Sequence, residues 1–317
     1  MKGRVLVTGG AGFIGSHLCE ALLRDGWRVR ALDDLSVGRR ENVPSGCELV
    51  EGSVLDDGAL GAAMAGVDAV CHEAARVSIR DSMERFCEDA EANLLGTLRV
   101  LRAAGRAKVR RFVQASSMAV YADSPDAAPV AESHALEPTS PYGITKLAAE
   151  RSVLLVGREL GLEPVVLRYF NTFGTRQAYT PYVGVVTIFA TRLLAGQPVT
   201  IFGDGSQTRD FVHVSDVARA NVLALTAPAA VGGTFNVGSG RGTSVAEVAA
   251  LLQGLLRPGD GGGWVRHAPA HREEIRHSVA DVSAARAALG YAPGTDLRAQ
   301  LPEVIGALRP RSDMLDP

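Results

Sequence analysis

The stretch "VTGGAGFIGSH" (residues 7–17) determines the fold expected for this chain. It follows a run of β-branched residues and places Gly9, Gly12 and Gly15 in a G-x-x-G-x-x-G array ahead of a helical pattern. Glycines at such a turn let the backbone approach a pyrophosphate, whose charge then faces the helix N-terminus. A strand-to-helix turn without a ligand also uses glycine, but the neighbouring pattern favours a dinucleotide-binding loop.

Strand-like and helix-like segments alternate beyond this loop. Strands are predicted at residues 4–9, 28–34, 47–53, 69–75, 111–117 and 163–171, and helices at 13–24 and 92–104. This order is typical of an α/β fold with a Rossmann-type, doubly wound parallel sheet. We expect residues 1–168, with returning segments near 208–240, to form the dinucleotide-binding domain. A smaller, mixed α/β lobe is expected at 169–207 and 241–310, and a flexible tail at 311–317.

Asp33 ends the second predicted strand, about twenty residues beyond the glycine loop. A carboxylate there accepts hydrogen bonds from the adenosine ribose hydroxyls and repels a 2′-phosphate, so it predicts NAD rather than NADP. Arg39 and Arg40 follow closely and would suit a phosphate, although a solvated loop explains them equally well.

Composition excludes several kinds of partner. The 317 residues carry a net charge of −2, so nothing favours nucleic acid or an anionic membrane surface. The chain contains no run of about 18 apolar residues and no signal-peptide pattern at its start. The cysteines form no C-x-x-C pair, which predicts buried free thiols, no metal site and a cytoplasmic location; they are Cys19, Cys47, Cys71 and Cys87.

The segment "SPYGITKLAAE" (140–150) places Tyr142 and Lys146 four residues apart, on one helix face. A nearby ammonium and the positive nicotinamide ring would stabilise the phenolate and lower its pKa. Since this pair follows a strand ending in Ser116 and Ser117, we interpret it as a proton-transfer site.

Together these motifs resemble the extended short-chain dehydrogenase/reductase superfamily, and within it the nucleotide-sugar (UDP-hexose) 4-epimerases. The resemblance spans residues 7 to about 291 and rests on "TGGAGFIGS", "DDLSVGRRENV", "HEAA", "NLLGT", "SSMAVYAD", "SPYGITK", "RYFNTFG", "GDGSQTRDFVHVSDVARA" and "REEIRHSVADVSAARAALGY". It implies that Tyr142 is the acid/base on the sugar 4-hydroxyl, that Ser117 binds the same oxygen, and that Lys146 holds the nicotinamide ribose.

The same resemblance implies the binding residues. Those for NAD are Gly9, Gly12, Phe13, Ile14, Gly15, Asp33, Gly38, Ser53, Val54, Ala74, Ala75, Tyr142 and Lys146. Ser53 departs from the family pattern, in which an aspartate commonly contacts the adenine, while Val54 is expected to pack on that ring. Those for the substrate are Ser117, Met118, Tyr142, Asn171, Arg209 and Arg276.

The expected substrate is a UDP-sugar. Arg209 and Arg276 match positions that contact the diphosphate, although a surface ion pair of Arg209 with Asp210 is the alternative. Asn171 matches a donor to the diphosphate or the sugar. The stretch "VTIF" (199–202) resembles the segment that packs around uracil.

The residues after Ser117 indicate the reaction. Related sugar dehydratases and decarboxylases resemble each other in carrying Asp-Glu or Ser-Glu there, whereas this chain has Met118 and Ala119, which exchange no proton. The absence of a second acid/base predicts 4-epimerisation, in which a 4-keto sugar is formed and the hydride then returns to its opposite face. A 4-ketosugar reductase with the same Ser, Tyr and Lys is an alternative, and so is a non-catalytic NAD-sensing protein.

The sequence predicts the identity of the sugar less closely than it predicts the reaction. Related glucuronate epimerases often carry an arginine shortly after the "RQ" at residues 176–177, whereas here Ala178 comes next, so UDP-glucose/UDP-galactose is expected first. Arg76, Arg80 or Arg192 could still reach the pocket, which keeps UDP-glucuronate/UDP-galacturonate as the runner-up. Helices near 84–105 and 142–158 resemble those that pair in homodimers of the superfamily.

Overall fold

The computed structural model describes residues 2–124, 127–180, 184–260, 262–270 and 275–308, so the expected tail at 311–317 lies outside the described residues. The strands are β1 (Arg4–Thr8), β2 (Arg28–Asp33), β3 (Cys47–Glu51), β4 (Ala69–His72), β5 (Arg111–Ser117), β6 (Glu163–Tyr169), β7 (Asn171–Phe173), β8 (Val199–Phe202), β9 (Thr208–His213), β10 (Thr234–Val237), β11 (Gly242–Ser244), β12 (Val265–Ala268) and β13 (His277–Ser278). The helices are α1 (Phe13–Arg24), α2 (Asp57–Met64), α3 (Ile79–Glu84), α4 (Phe86–Ala90), α5 (Gly96–Arg106), α6 (Pro141–Glu159), α7 (Val185–Leu194), α8 (Val214–Thr226), α9 (Val245–Leu256), α10 (Ser283–Leu289) and α11 (Leu297–Ala307).

A seven-stranded sheet forms the centre of the molecule, in the order β10-β6-β5-β4-β1-β2-β3. Its strand pairs are parallel, and helices cover both faces. The expected Rossmann-type α/β fold is therefore confirmed. Chain order reverses between β1 and β4, and the crevice at the carboxyl ends of these strands is where such sheets bind ligands.

The strand sequences explain the two covered faces. Alternate side chains of a strand point to opposite faces. Val5 and Val7 accordingly pack into one core with Leu18 of α1, while Leu6 packs into the other core with Phe112 of β5. Strands that are apolar on both faces stay buried only when helices cover both faces, as they do here.

The later segments build a smaller lobe. A four-stranded sheet contains β11, β9 and β13, with β7 paired to β9, and β8 pairs with β12. The lobe has its own apolar core, which includes Phe173, Phe189 and Ile201. The division into two domains stays a proposal. Strand pairing places residues 208–213 in the second sheet rather than with the large one. Helix α10, from the segment expected in the smaller lobe, packs with the core of the large sheet.

The cysteines differ in part from the expectation. Cys19 and Cys71 are buried free thiols, but Cys47 is half-buried and Cys87 is exposed. The Cys19 and Cys47 side chains share a hydrogen bond that the sequence spacing did not indicate. Across the described ranges, no helix is long and apolar enough to cross a membrane.

Candidate active site

The glycine loop passes from β1 into α1 with little room for side chains. Gly9 has a φ of +68°, and a β-carbon at residue 15 would lie 2.1 Å from the Gly9 carbonyl oxygen. Gly12 is the N-cap of α1 and supplies no side-chain cap. The first amides of α1 are thus left to a ligand, and a pyrophosphate is the group that such a helix N-terminus suits.

The Asp33 carboxylate sits beside this loop at the end of β2. Its Oδ2 accepts a hydrogen bond from the Ala11 amide at 2.9 Å and its Oδ1 accepts one from the Leu35 amide at 2.9 Å. The Gly12 amide also hydrogen-bonds Asp33. A carboxylate has about four acceptor sites, so acceptor capacity remains for a ribose hydroxyl. Burial raises the pKa of Asp33, and these amide hydrogen bonds oppose the rise.

The loop after β2 fits NAD better than NADP. A β-carbon at Gly38 would lie 2.8 Å from Asp33 Oδ1, so this loop runs directly against the carboxylate. Arg40 forms an ion pair with Glu51, and Arg39 lies 3.8 Å from Glu41. The two cations that would suit a 2′-phosphate are therefore each paired with a glutamate.

Other predicted NAD contacts lie at the same end of the sheet, where its parallel strands finish. Ser53 accepts a hydrogen bond from the Leu55 amide at 3.2 Å, and Val54 packs against Gly96. Ala74 approaches Gly9, since a β-carbon there would lie 2.8 Å from the Ala74 nitrogen. Ala75 follows at this edge, so the loops after β1, β2, β3 and β4 adjoin at one end of the sheet.

His72 lies in a chain of hydrogen bonds below the carboxyl end of the sheet, in which every donor points in the same direction along the chain. The Ala74 amide donates to Thr8 Oγ1 at 3.2 Å, and Thr8 Oγ1 lies 2.6 Å from His72 Nδ1. His72 Nε2 lies 3.0 Å from Thr97 Oγ1, which donates to the Asn93 carbonyl at 2.6 Å. The amide only donates and the carbonyl only accepts, so we assign His72 as the neutral Nε2–H tautomer. Burial lowers the pKa of His72 to about 3.

Ser117, Tyr142 and Lys146 come together at the carboxyl end of β5. The Tyr142 hydroxyl hydrogen-bonds Ser117, and Lys146 Nζ donates to the Ala115 carbonyl at 2.9 Å. Tyr142 is 7% exposed and Lys146 5%. Ser140 caps the N-terminus of α6 by accepting from the Gly143 amide at 3.1 Å, which fixes the helix that carries both side chains.

The protein groups alone raise the pKa of Tyr142, so the expected lowering depends on the nicotinamide ring. Burial raises this pKa to about 12, the Ser117 hydrogen bond opposes the rise, and the Asp89 carboxylate adds to it. Burial also lowers the pKa of Lys146 to about 8. Desolvation of the phenolate thus outweighs the stabilisation from protein groups, so an added positive charge is needed to bring Tyr142 towards neutral pH.

A buried ion pair connects α6 to the sheet below Tyr142. Arg168 Nε donates to Glu150 Oε1 at 2.9 Å, and its Nη2 donates to Oε2 at 2.7 Å. Ser116 Oγ donates to the same carboxylate at 2.5 Å. Removing one partner of a buried pair costs about 3–5 kcal/mol. This pair therefore holds the helix of Tyr142 in register with the strand of Ser117.

The predicted diphosphate contacts lie in the small sheet. Asn171 starts β7 and Arg209 lies on β9, which is paired with β7. Arg209 donates to the Thr208 carbonyl at 2.9 Å and to the Arg276 carbonyl at 3.5 Å, so the two arginines are neighbours. In the described part of the chain, Asn171 Oδ1 is buried without a hydrogen-bond partner, which suits a polar ligand.

The alternative ion pair of Arg209 with Asp210 is not what the structure contains. Asp210 accepts hydrogen bonds from the Ser239 amide at 2.7 Å, the Gly240 amide at 2.9 Å and the Ala280 amide at 3.1 Å. Its carboxylate therefore secures the loop after β10.

Three arginines, Arg76, Arg80 and Arg192, are candidates for the sugar end, and Arg176 lies just before Ala178 in the sequence. Arg76 pairs with Asp81 at 2.6 Å, Arg192 donates to the Pro198 carbonyl at 2.8 Å, and Arg176 pairs with Glu20 of α1. The Arg80 guanidinium lies 6.0 Å from the centre of the Phe202 ring in "VTIF". Arg80 thus bridges α3 of the large domain and β8 of the small lobe.

Two acidic residues at the site had not been singled out from the sequence. Asp89 accepts from Thr145 of α6 at 2.7 Å, and Glu73 accepts from Tyr169 at 2.7 Å. Glu73 stands within "HEAA", directly after a buried strand, and that position is a usable signal because polar groups there reach the ligand edge. Asn93 lies in a π-helical turn, Glu91–Leu95, and its side chain holds the Arg76 backbone.

Comparison with known proteins agrees with this geometry. The sequence model of the NAD dependent epimerase/dehydratase family matches residues 5–238. This is more than half of the chain, which therefore belongs to the NAD-dependent epimerase/dehydratase family. NAD is accordingly its cofactor, and the glycine loop, the uncapped start of α1 and Asp33 fit that group.

Relatives narrow the class further. The UDP-glucose 4-epimerase of Mycolicibacterium smegmatis is 37% identical over 315 residues, with 98% of this chain and 99% of that protein covered. The crystal structure of UDP-glucose 4-epimerase from Thermotoga maritima with UDP-glucose has a TM-score of 0.90 at 36% identity, covering 96% of this chain and 98% of that one. The UDP-glucuronic acid 4-epimerase of Bacillus cereus, in complex with UDP-glucuronic acid and NAD, has a TM-score of 0.88 at 29% identity, covering 96% and 99%. Epimerases are isomerases, and the chain is an enzyme of this class.

Proposed function

We propose that this enzyme is a 4-epimerase of a UDP-sugar, with UDP-glucose and UDP-galactose as its first substrate pair. The observation that carries the proposal is the pairing of Ser117 with Tyr142 next to Met118 and Ala119. A dehydratase of this family needs a further acid or base for its later steps. Met118 is partly buried and Ala119 is 6% exposed, and neither side chain exchanges a proton.

The chain's own residues supply the proton chemistry and the grip. Bound NAD would supply the hydride chemistry at C4 of the sugar. Tyr142 takes the proton of the 4-hydroxyl and gives it back, while Ser117 hydrogen-bonds the same oxygen. Arg209, Arg276 and Asn171 hold the diphosphate, so that the 4-keto sugar can turn and present its other face.

A second substrate pair, UDP-glucuronate and UDP-galacturonate, is favoured by one observation. Arg80 lies over Phe202, in the stretch expected to contact the uracil, and so reaches the nucleotide-sugar side of the cleft. A guanidinium there suits a carboxylate. Ala178 supplies no charge, and for this reason the neutral sugars remain the first choice.

A competition assay tests both pairs. UDP-galactose and UDP-glucuronate are incubated in one tube with purified protein and no added NAD, and proton NMR follows both. Conversion of UDP-galactose to UDP-glucose supports the first pair, and conversion of UDP-glucuronate supports the second. For the second pair, Arg80→Ala loses uronate conversion while Arg192→Ala, which removes a cation bound to a backbone carbonyl, keeps it. Oxidation of either sugar only with added NAD⁺, with release of the keto sugar and NADH, would indicate the 4-ketosugar reductase running in reverse, and no turnover would indicate the NAD-sensing protein.

The assembly is proposed to be a homodimer in a reducing cytoplasm. Leu95 and Leu98 are 41% and 36% exposed, and Ile144 and Leu155 of α6 are 55% and 68% exposed. Residues 144 and 155 are three helical turns apart, hence on one face. Apolar side chains exposed in a group favour association over a monomer. The four cysteines, all free, suit a reducing compartment.

A further inference from the structure

Glu73 is a carboxylate at the carboxyl end of β4 that the proposed reaction does not use. The Tyr169 hydroxyl donates to Glu73 Oε1 at 2.7 Å, and Asn221 Nδ2 donates to that hydroxyl at 2.7 Å. Asn221 Nδ2 also donates to the Val217 carbonyl at 3.0 Å, which fixes the orientation of the amide. The hydrogen of Tyr169 is therefore directed at Glu73, and the carboxylate is held from β6 and α8.

Strand register places the backbone of Glu73 level with the carbonyl group that Lys146 binds. His72 of β4 pairs with Gln114 of β5, so Glu73 follows at the level of Ala115. The Ala115 carbonyl accepts from Lys146 Nζ at 2.9 Å. Tyr169, which holds Glu73, pairs with Ser117. The anchored carboxylate and the ammonium thus share the carboxyl end of β5 with the proton-transfer pair.

The other acidic side chains around Lys146 are held by partners of their own. The titratable groups that face Lys146 or Glu73 are Cys71 and His72 of β4, Asp89 of α4, Tyr142 and Glu150 of α6, and Tyr169 of β6. Asp89 accepts from Thr145 and Asn93, and Glu150 is paired with Arg168. Within the described residues, no ion pair includes Glu73. Glu73 acts on the charge of Lys146 more strongly than Asp89 and Glu150 do.

We propose that Glu73 is a positioning residue for Lys146: its carboxylate, anchored by Tyr169, keeps the neighbouring ammonium charged at the carboxyl end of β5. The proposal rests on the proposed function to the extent that Lys146 supports the proton transfer by Tyr142. Glu73 itself exchanges no proton with the substrate. It maintains the positive charge that the phenolate needs.

The electrostatics agree with this geometry. Burial lowers the pKa of Lys146 to about 8, and Glu73 is the foremost of the groups that oppose this. Burial raises the pKa of Glu73 to about 7, opposed by the Tyr169 hydrogen bond and by Lys146. Both groups are therefore charged together in a narrow range around pH 7 to 8. Without the negative charge, Lys146 loses its proton at a lower pH.

The reactivity of Lys146 tests the proposal without any substrate. The chain has three lysines, Lys2, Lys108 and Lys146, so a pulse of acetic anhydride at a series of pH values gives three acetylation curves by peptide mass spectrometry. In Glu73→Gln, the Lys146 curve moves down by about one pH unit, which is roughly tenfold more neutral amine at a given pH below the midpoint. The Lys108 curve stays in place as an internal reference, and Glu159→Gln, an exposed residue of α6 with the same change of charge, leaves all three unchanged.

A pH profile of kcat/KM gives the second measurement. We expect its alkaline limb to move down in Glu73→Gln by the amount found for Lys146, which a merely structural role would not cause. Tyr169→Phe keeps the carboxylate but releases its anchor, and gives a smaller shift in the same direction even if Glu73→Gln fails to fold. A Lys146 curve unchanged in a folded variant overturns the proposal. Failure of the proposed substrates leaves the acetylation result intact, so the two failures are distinguishable.

Discussion

Gly143 of α6 lies directly against the carbonyl oxygen of Ala119: a β-carbon at residue 143 would be 2.4 Å from that oxygen. Ala119 belongs to the short helical turn Met118–Val120 that follows Ser117, and Gly143 follows Tyr142. The hydrogen bond between Ser117 and Tyr142 therefore depends on a contact that only glycine allows. The two halves of the proton-transfer pair are positioned by backbone packing.

Gly143→Ala is expected to separate this pair. The added methyl group forces α6 away from the turn, which lowers kcat by about 10²-fold because small displacements of reacting groups are costly. Overpacking lowers the free energy of unfolding by about 1–3 kcal/mol. The matched control is Gly254→Ala in α9, where a β-carbon meets nothing within 4 Å. Full activity of Gly143→Ala would refute the importance of this contact.

Tyr142→Phe is expected to remove turnover and keep the fold. The variant loses the hydroxyl that exchanges the proton, and rates fall by about 10²–10⁴-fold when such a group is lost. Thermal unfolding should stay close to that of the parent protein, because the ring still fills its buried site. Ser117→Ala keeps the acid/base and should lose less activity. The acid/base assignment fails if Tyr142→Phe retains a tenth or more of the parent kcat, on the order expected for a non-essential contact.

His72 is expected to make stability depend on pH. Its pKa is about 3 in the folded protein against an ordinary 6.5, so the unfolded state binds the extra proton between these values. The free energy of unfolding that neutral His72 contributes is fully present above about pH 6.5. It falls by up to about 1.4 kcal/mol for each pH unit below that value. Urea unfolding across this range should show the slope.

A matched pair of variants isolates that slope. His72→Gln removes the titrating ring and should flatten the dependence, whereas His267→Gln, on the exposed strand β12, should leave it as it is. An unchanged slope in His72→Gln would assign the acid sensitivity to other groups.

Leu155→Glu tests the proposed dimer. The side chain is 68% exposed, so the substitution costs a monomer little but places a charge in an apolar interface. Sedimentation should give dimers for the parent protein and monomers for the variant. Leu255→Glu, on α9 of the smaller lobe and 44% exposed, should remain dimeric. A parent protein that sediments as a monomer at micromolar concentration would exclude the dimer.

Local patterns account for what the sequence predicted well. The bounds of α1 and β5 agree with the expected 13–24 and 111–117, because the glycine loop and the β-branched run define them locally. Ser117, Tyr142 and Lys146 were placed together through their motifs. The reversal of strand order at β1 and β4 then explains why the glycine loop and the end of β4 adjoin.

Long-range contacts account for the rest. The approach of Arg80 to Phe202 joins segments more than a hundred residues apart, and no periodicity encodes it. Residues 208–213 have an ordinary strand pattern, which does not tell which of two sheets they join. The rise in the pKa of Tyr142 could not be predicted, because a sequence shows charged neighbours but not burial, and burial is the largest effect of the protein groups.

The most direct test of the epimerase account is the fate of a label at the reacting carbon. UDP-galactose carrying deuterium at C4 is incubated with purified protein without added cofactor, and proton NMR follows the product. The account predicts UDP-glucose with deuterium retained at C4, because the hydride leaves and returns within one bound complex. The account is contradicted if the UDP-glucose formed has lost the deuterium from C4, or if the UDP-galactose is left unchanged.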